Sequence, residues 1–200
     1  MPTAIDFYFD FSSPYGYIAS RRVDEVAARW KRAVAWRPFL LGVAMKETGA
    51  RPLGEIPMRA EYHKRDFARC AREWGIPFAL PSVFPVSALP ASRAFYWLEG
   101  RDPTLGKLFA RAAFHAYFVE GRDISTPEVV AEVTGRFGID RAALLAALGE
   151  PAVKARLREE TDKALARGVF GSPFFLVDGE PFWGHDRLPQ IEHWLETGGW

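Results

Sequence analysis

The sequence predicts a small α/β domain interrupted by a block of helices. Three observations lead there: residues 5–39 read as strand, helix and strand; residues 57–167 read as helices; residues 171–197 read as a hairpin and a closing helix. Ile5 to Phe11 is an aromatic-rich run of strand length, consistent with a buried strand. Ala19, Val23, Val26, Ala27 and Trp30 then recur at helical spacing, with Arg21, Arg22, Asp24, Glu25 and Arg29 between them. Ala33 to Phe39 reads as a second strand, closed by Pro38, and a parallel pair with a helical crossover follows.

The middle changes character. Residues 57–74 are charged and helical, with Met58, Tyr62, Phe67, Cys70 and Trp74 as the apolar positions, and Gly75-Ile76-Pro77 ends the run. Pro81, Pro85 and Pro90 punctuate an irregular link. Helices are expected at about 91–99, 104–119, 126–137, 140–148 and 151–167. In the second of these Leu105, Leu108, Phe109, Ala112, Ala116 and Val119 form one stripe, and Thr126-Pro127 starts the third with proline just inside. The last segment carries Phe174 to Val177, then Asp178-Gly179, then Glu180 to Trp183. Asp-Gly between two apolar runs signals a hairpin, and a helix over about 187–197 follows with Leu188, Ile191 and Leu195 on one face.

The totals narrow the functional classes. A chain of 200 residues, 48% hydrophobic, has material for one well-cored domain or a domain with a large insertion. A formal charge of +1 and no sustained basic block point away from nucleic acid and acidic membrane surfaces. The single cysteine, Cys70, rules out an intramolecular disulfide and a cysteine metal cluster. No signal-like start and no apolar run of about 18 residues appears, so a cytoplasmic, reducing setting without membrane contact is the expectation.

Three segments could carry chemistry. In Asp10-Phe11-Ser12-Ser13-Pro14-Tyr15-Gly16 a strand runs into a turn that sets Ser13 at the mouth of a helix. Ser13 caps that helix and Pro14 takes its first position, where a missing N–H costs nothing. The same helix end, with unpaired N–H groups and a positive dipole, is also a place to hold an anion or thiolate. Capping and ligand binding are compatible, and local sequence leaves both open. Gly171-Ser172-Pro173 precedes a strand, where a proline is ordinarily trans and structural. In Gly184-His185-Asp186-Arg187, Asp186 has the place of an N-cap bonded to the Leu188 N–H. His185 has the chemistry of a base, but no spacing supplies it with a partner. His63 and His115 sit in helical stretches without a metal-ligand pattern. Lys64, Arg65, Asp66 and Arg69 read as a solvated helix face, Cys70 as a buried small hydrophobe, and the seven tryptophans as core or interface.

Taken in order, the opening Phe7-Tyr8-Phe9-Asp10-Phe11-x-Ser13-Pro14-Tyr15, the late Val169-Phe170-Gly171-x-Pro173-x-Phe175 and the final Gly184-x-Asp186-Arg187-Leu188 resemble the 2-hydroxychromene-2-carboxylate isomerases. Those enzymes stand with kappa-class glutathione transferases in the DsbA-like branch of thioredoxin folds. The resemblance extends over essentially the whole chain, including Lys46 to Gly49, the Tyr62, Lys64, Asp66 helix and Gly75-Ile76-Pro77. It implies a discontinuous thioredoxin-like domain, residues 1–40 and 160–200, with an inserted α-helical domain at 41–159. It implies glutathione as cofactor: Ser13 would hydrogen-bond its sulfur, and Pro173 would be a cis-proline. The Ser172 main chain would pair the tripeptide like an added strand, Asp186 would hold the γ-glutamyl end, and Pro14 and Tyr15 would line the entry. It further implies a homodimer acting on a small aromatic-derived substrate, with Phe11, Tyr15, Phe84 and Trp183 as walls by composition.

The activity implied is glutathione-dependent isomerisation of a chromene-2-carboxylate to its open benzylidenepyruvate form. The alternatives are conjugation of the kappa type and glutathione binding without catalysis. Where the disulfide oxidoreductases of this branch carry Cys-x-x-Cys, this chain reads Ser13-Pro14-Tyr15-Gly16, so thiol–disulfide exchange through the turn is excluded chemically. One departure from that family stands out: many of its members place Asn after the Gly of the Lys46–Gly49 stretch, and here the residue is Ala50. A lost amide contact is worth about 0.5–1.5 kcal/mol.

Overall fold

The computed structural model describes residues 3–200. Four strands form one sheet in the order β2-β1-β3-β4. β1 (Ile5–Phe9) pairs parallel with β2 (Val34–Pro38) and antiparallel with β3 (Phe174–Val177), and β3 pairs antiparallel with β4 (Glu180–Trp183). The strand–helix–strand opening and the closing hairpin are therefore as expected. Asp178 and Gly179 both adopt positive φ, 54° and 95°, which the twist of a two-residue hairpin demands.

Both faces of the sheet are covered, and the strand period of two sorts the side chains. Ile5, Phe7 and Phe9 of β1 and Phe175 and Val177 of β3 point into the main core. Tyr8, Phe174 and Leu176 point the other way, onto Phe39, Ala164 and Val169. The main core does not stop at the sheet. Phe9 meets Phe95 at 6.2 Å and Phe114 at 5.4 Å, and Phe11 meets Phe109 and Phe114. Those partners belong to α5 (Leu89–Glu99) and α6 (Pro103–Phe118), so the inserted helices and the sheet share one aromatic core.

The helices differ from expectation in instructive places. The first forms two pieces, α1 (Pro14–Ser20) and α2 (Val23–Arg29), separated at Arg21-Arg22. Ala19 and Val23 are both buried, but neither side of the break supplies a side-chain cap at Arg22. A helix the pattern does not announce, α3 (Leu41–Thr48), follows β2 and ends on Gly49 at φ 70°. α4 (Arg59–Glu73) turns a different face inward than its apolar residues suggest. Phe67 and Ala71 are buried, whereas Met58 just before it and Tyr62 are exposed and Cys70 is half-buried. Beyond α6, the chain forms α7 (Pro127–Gly135), α8 (Arg141–Gly149), α9 (Pro151–Ala166) and α10 (Leu188–Thr197), close to the predicted spans. Of the seven tryptophans only Trp36 is buried; Trp30, Trp183 and Trp200 are exposed. Among the described residues no helix is long and apolar enough to cross a membrane.

Candidate active site

Strand β1 ends at Phe9, and the turn after it delivers Ser13 to the start of α1. Its hydroxyl accepts the Gly16 N–H at 3.0 Å, so it is the N-cap, with Pro14 at the first helical position. The hydroxyl also donates to the Ser172 carbonyl at 2.9 Å. Ser172 in turn accepts the Asp10 N–H at 2.9 Å through its own hydroxyl. The Ser172–Pro173 bond is cis, as the family resemblance implies and against the ordinary trans reading. Two segments 159 residues apart are thus stitched together at the end of the sheet. The stitching needs Gly16: a Cβ there would lie 2.9 Å from Ser172 Oγ and 3.1 Å from Ser13 Cβ.

Asp10 lies under this turn. It is 7% exposed, and its carboxylate accepts the Ser12 N–H at 2.8 Å and the Leu41 N–H at 3.1 Å. Leu41 opens α3, whose N-cap residue Leu40 has no side-chain cap of its own. Asp10 supplies that cap from across the chain. Burial pushes its carboxyl up to about 6, and the two N–H groups hold it back only in part.

The turn opens into a cleft of about 1390 Å³. Ser13, Pro14 and Tyr15 line it with Ser172, Pro173 and Asp186, so the six residues singled out in the sequence come together. Phe84 and Trp183 also line it. Phe11 does not: it is fully buried among the core phenylalanines, because its position falls on the inward side of the strand exit. Asp186 is a second correction. A short 3-10 turn, His185–Arg187, intervenes before α10, whose N-cap is Arg187. Asp186 therefore caps nothing; it stays exposed and pairs with Arg187 at 2.8 Å.

One polar cluster is absent from the sequence reading. Asp66, taken there for a solvated residue, accepts the Tyr15 hydroxyl at 2.5 Å, an Arg69 guanidinium N–H at 2.5 Å and the Cys70 thiol at 3.7 Å. Burial pushes the Asp66 carboxyl up, but its Tyr15 and Arg69 bonds outweigh this and hold it below the usual range. Burial, and then Asp66, raise the Tyr15 hydroxyl well above the ordinary tyrosine value. Burial and the adjacent Asp66 also push the Cys70 thiol up to about 11, so it is no thiolate nucleophile. His63 Nδ1 lies 3.2 Å from the same tyrosine oxygen, and the His185 ring stacks on Tyr15 with centroids 4.9 Å apart. Burial lowers the His185 pKa. The only sequence signal for this cluster is helical spacing: His63, Asp66, Phe67 and Cys70 share one side of α4. Among the described residues no three or more His, Cys, Asp or Glu side chains are grouped so as to hold a metal ion.

Residues 4–196 match the family model described as the DSBA-like thioredoxin domain. The chain belongs to the DsbA-like thioredoxin family. Within it, the chain is 31% identical to "Glutathione s-transferase kappa 2" of Caenorhabditis elegans, over 96% of this chain and 91% of that one. It is 30% identical to "2-hydroxychromene-2-carboxylate isomerase" of Sphingobium xenophagum, over 98% and 99%. A solved 2-hydroxychromene-2-carboxylate isomerase superposes with a TM-score of 0.88 at 27% identity, covering 97% of this chain and 95% of that one. The family resemblance and fold class read from the sequence are both borne out. At the head of α1 the turn reads Ser13-Pro14-Tyr15-Gly16, and the cis Ser172–Pro173 bond lies opposite it.

Proposed function

We propose that this protein is a glutathione-dependent isomerase of the 2-hydroxychromene-2-carboxylate type. The observation that carries the reading is Ser13: a buried hydroxyl at a helix N-terminus, facing a cis-proline loop in an open cleft, with no protein thiol in the turn. A cleft of about 1390 Å³ exceeds the ~300–1,000 Å³ of ordinary ligand pockets, which suits a tripeptide together with a second organic substrate.

In this reading glutathione lies along the Ser172–Pro173 loop with its sulfur at Ser13. The free Ser13 hydroxyl already donates to the Ser172 carbonyl. Binding therefore exchanges partners: the hydroxyl turns to the sulfur, and the carbonyl accepts a backbone N–H of the tripeptide. The hydroxyl and the α1 N-terminus stabilise the thiolate. Asp186, exposed at the cleft edge, takes the γ-glutamyl ammonium; Pro14 and Tyr15 form the entry. Arg51 and Arg59 line the same cleft as Ala50 and offer cations to the glutathione carboxylates in place of the amide. The thiolate adds to an unsaturated carbon of an aromatic-derived 2-oxo acid, the former double bond rotates, and the thiolate leaves. The oligomer proposed is a homodimer, and the setting a reducing cytoplasm.

Similarity to a kappa-class transferase favours a second reading, in which the same thiolate displaces a leaving group and the thioether is released. Calorimetric titration with glutathione tests the shared premise. Turnover of a chromene-2-carboxylate against a halonitroaromatic then separates the two activities. Absence of binding at millimolar glutathione removes both, and binding without turnover on either substrate leaves only a glutathione-binding role.

A further inference from the structure

We propose that His63 is a further catalytic residue of this site, a proton carrier whose tautomer is fixed by the Tyr15–Asp66 hydrogen bond. The inference rests on the isomerase reading above and assigns the acid–base group that this chemistry requires.

Tyr15 has a single hydroxyl proton and two neighbours competing for it. Asp66 Oδ2, at 2.5 Å, belongs to a carboxylate also paired with Arg69 and can only accept. It takes the proton. The elevated Tyr15 pKa agrees, since the phenol stays protonated throughout the working range. His63 Nδ1, 3.2 Å from the same oxygen, must then be the donor to it. A neutral His63 is held as the Nδ1–H tautomer, opposite to the one that predominates in water. Its Nε2 keeps a lone pair and bonds no protein group among the described residues, in a ring that lines the cleft. A base needs such an orienting partner on its far nitrogen. The ring is steadied further by Phe67, stacked at 6.0 Å, and Tyr62, edge-on at 5.6 Å.

The proton balance is closed. On binding, the thiol proton passes to Nε2 and leaves the thiolate that Ser13 holds; as the S–C bond forms, the carbonyl oxygen of the oxo acid gains electron density. The imidazolium delivers the proton there, making an enol, and the former C=C bond becomes single and rotates. Nε2 takes the proton back as the carbonyl re-forms and the sulfur leaves. Nothing is oxidised or reduced, and glutathione is regenerated. Of the charged and titratable groups, Tyr15 of α1 and Tyr62 of its own helix meet this imidazole, Asp66 and His185 reach it through Tyr15, and Asp10, Arg51, Glu55, Arg59, Asp186 and Arg187 line the same cleft.

Two measurements decide it. Nitrogen NMR of the imidazoles, on protein with and without Tyr15→Phe, reads the tautomer without any substrate. The expected result is Nδ1–H for His63 in the parent and a return towards Nε2–H in the variant; Nε2–H in the parent overturns the inference. In parallel, His63→Gln is assayed for glutathione affinity and for the pH profile of isomerisation. Unchanged affinity with kcat lower by about 10²-fold or more, and loss of the acidic limb, supports the role. Bound glutathione with parental kcat and profile overturns the role alone. A parent that binds no glutathione, or binds it without isomerising, overturns the isomerase reading and this role with it.

Discussion

Replacing Asp10 by Asn should change the pH dependence of stability more than the stability itself. Burial raises the Asp10 carboxyl from its ordinary 3.8 to about 6. A group whose pKa is raised on folding stabilises fully below its unfolded value and loses that contribution as pH rises through the folded value. The contribution is therefore present near pH 3.8 and gone above about 6. At about 1.4 kcal/mol per pH unit, the rise corresponds to about 3 kcal/mol. Asn cannot ionise, so the parent should lose about 3 kcal/mol relative to Asp10→Asn between those limits. Against this, above about pH 6 the amide accepts one N–H where the carboxylate accepts two, from Ser12 and Leu41, a loss of about 1–3 kcal/mol. Denaturant unfolding of both proteins across this range measures the difference, and other titrating groups cancel between them. Parallel profiles would refute the assignment of a costly buried charge to Asp10.

Further outcomes follow from the same geometry. With glutathione bound as proposed, Ser13→Ala removes a charge-assisted hydrogen bond worth about 1.5–3 kcal/mol, so the pKa of the bound thiol, followed by thiolate absorbance, should rise by about one to two; an unchanged value would exclude Ser13 from the thiolate. The same variant loses the α1 cap and about 1 kcal/mol of stability, whereas Ser13→Gly should lose only a few tenths, by thermal unfolding. Gly16→Ala pushes a Cβ against Ser172 Oγ and should cost about 1–3 kcal/mol while weakening glutathione binding in calorimetry. Phe114→Ala should cost about 3–5 kcal/mol in a single cooperative transition, because its ring packs on Phe9 and Phe11 of the sheet side; two separated transitions would contradict one shared core.

Much of this molecule was legible along the chain. An aromatic-rich run of strand length announced β1, and Asp178-Gly179 announced the hairpin, because a two-residue turn with positive φ admits few residue types. Thr126-Pro127 placed the start of α7 to the residue. Ser13 as a cap followed from its place before Pro14. These are local signals, decided by backbone sterics and hydrogen bonds within a few residues.

What failed was equally physical. The α1–α2 break and α3 carry no cap residue of their own, so nothing local marks them; the cap of α3 is a carboxylate 31 residues away. Asp186 has the right residue type for a cap, but a 3-10 turn shifts the helix start past it. Asp66 and Met58 show the limit of periodicity, which gives an apolar stripe but not which neighbour covers it.

Apart from the family, which a resemblance of ordered motifs carried, the sequence by itself determined most of the elements, the α/β class with inserted helices and the absence of a protein thiol at the turn. Those follow from residue types and spacings that act over one turn or one strand. Only the tertiary structure decided that Ser13 donates to Ser172, that Asp10 caps α3, and that Tyr15 meets Asp66 and His63. Each of these joins groups brought together by packing rather than by chain proximity. A buried donor takes whichever acceptor the fold leaves beside it, and no periodicity encodes that choice.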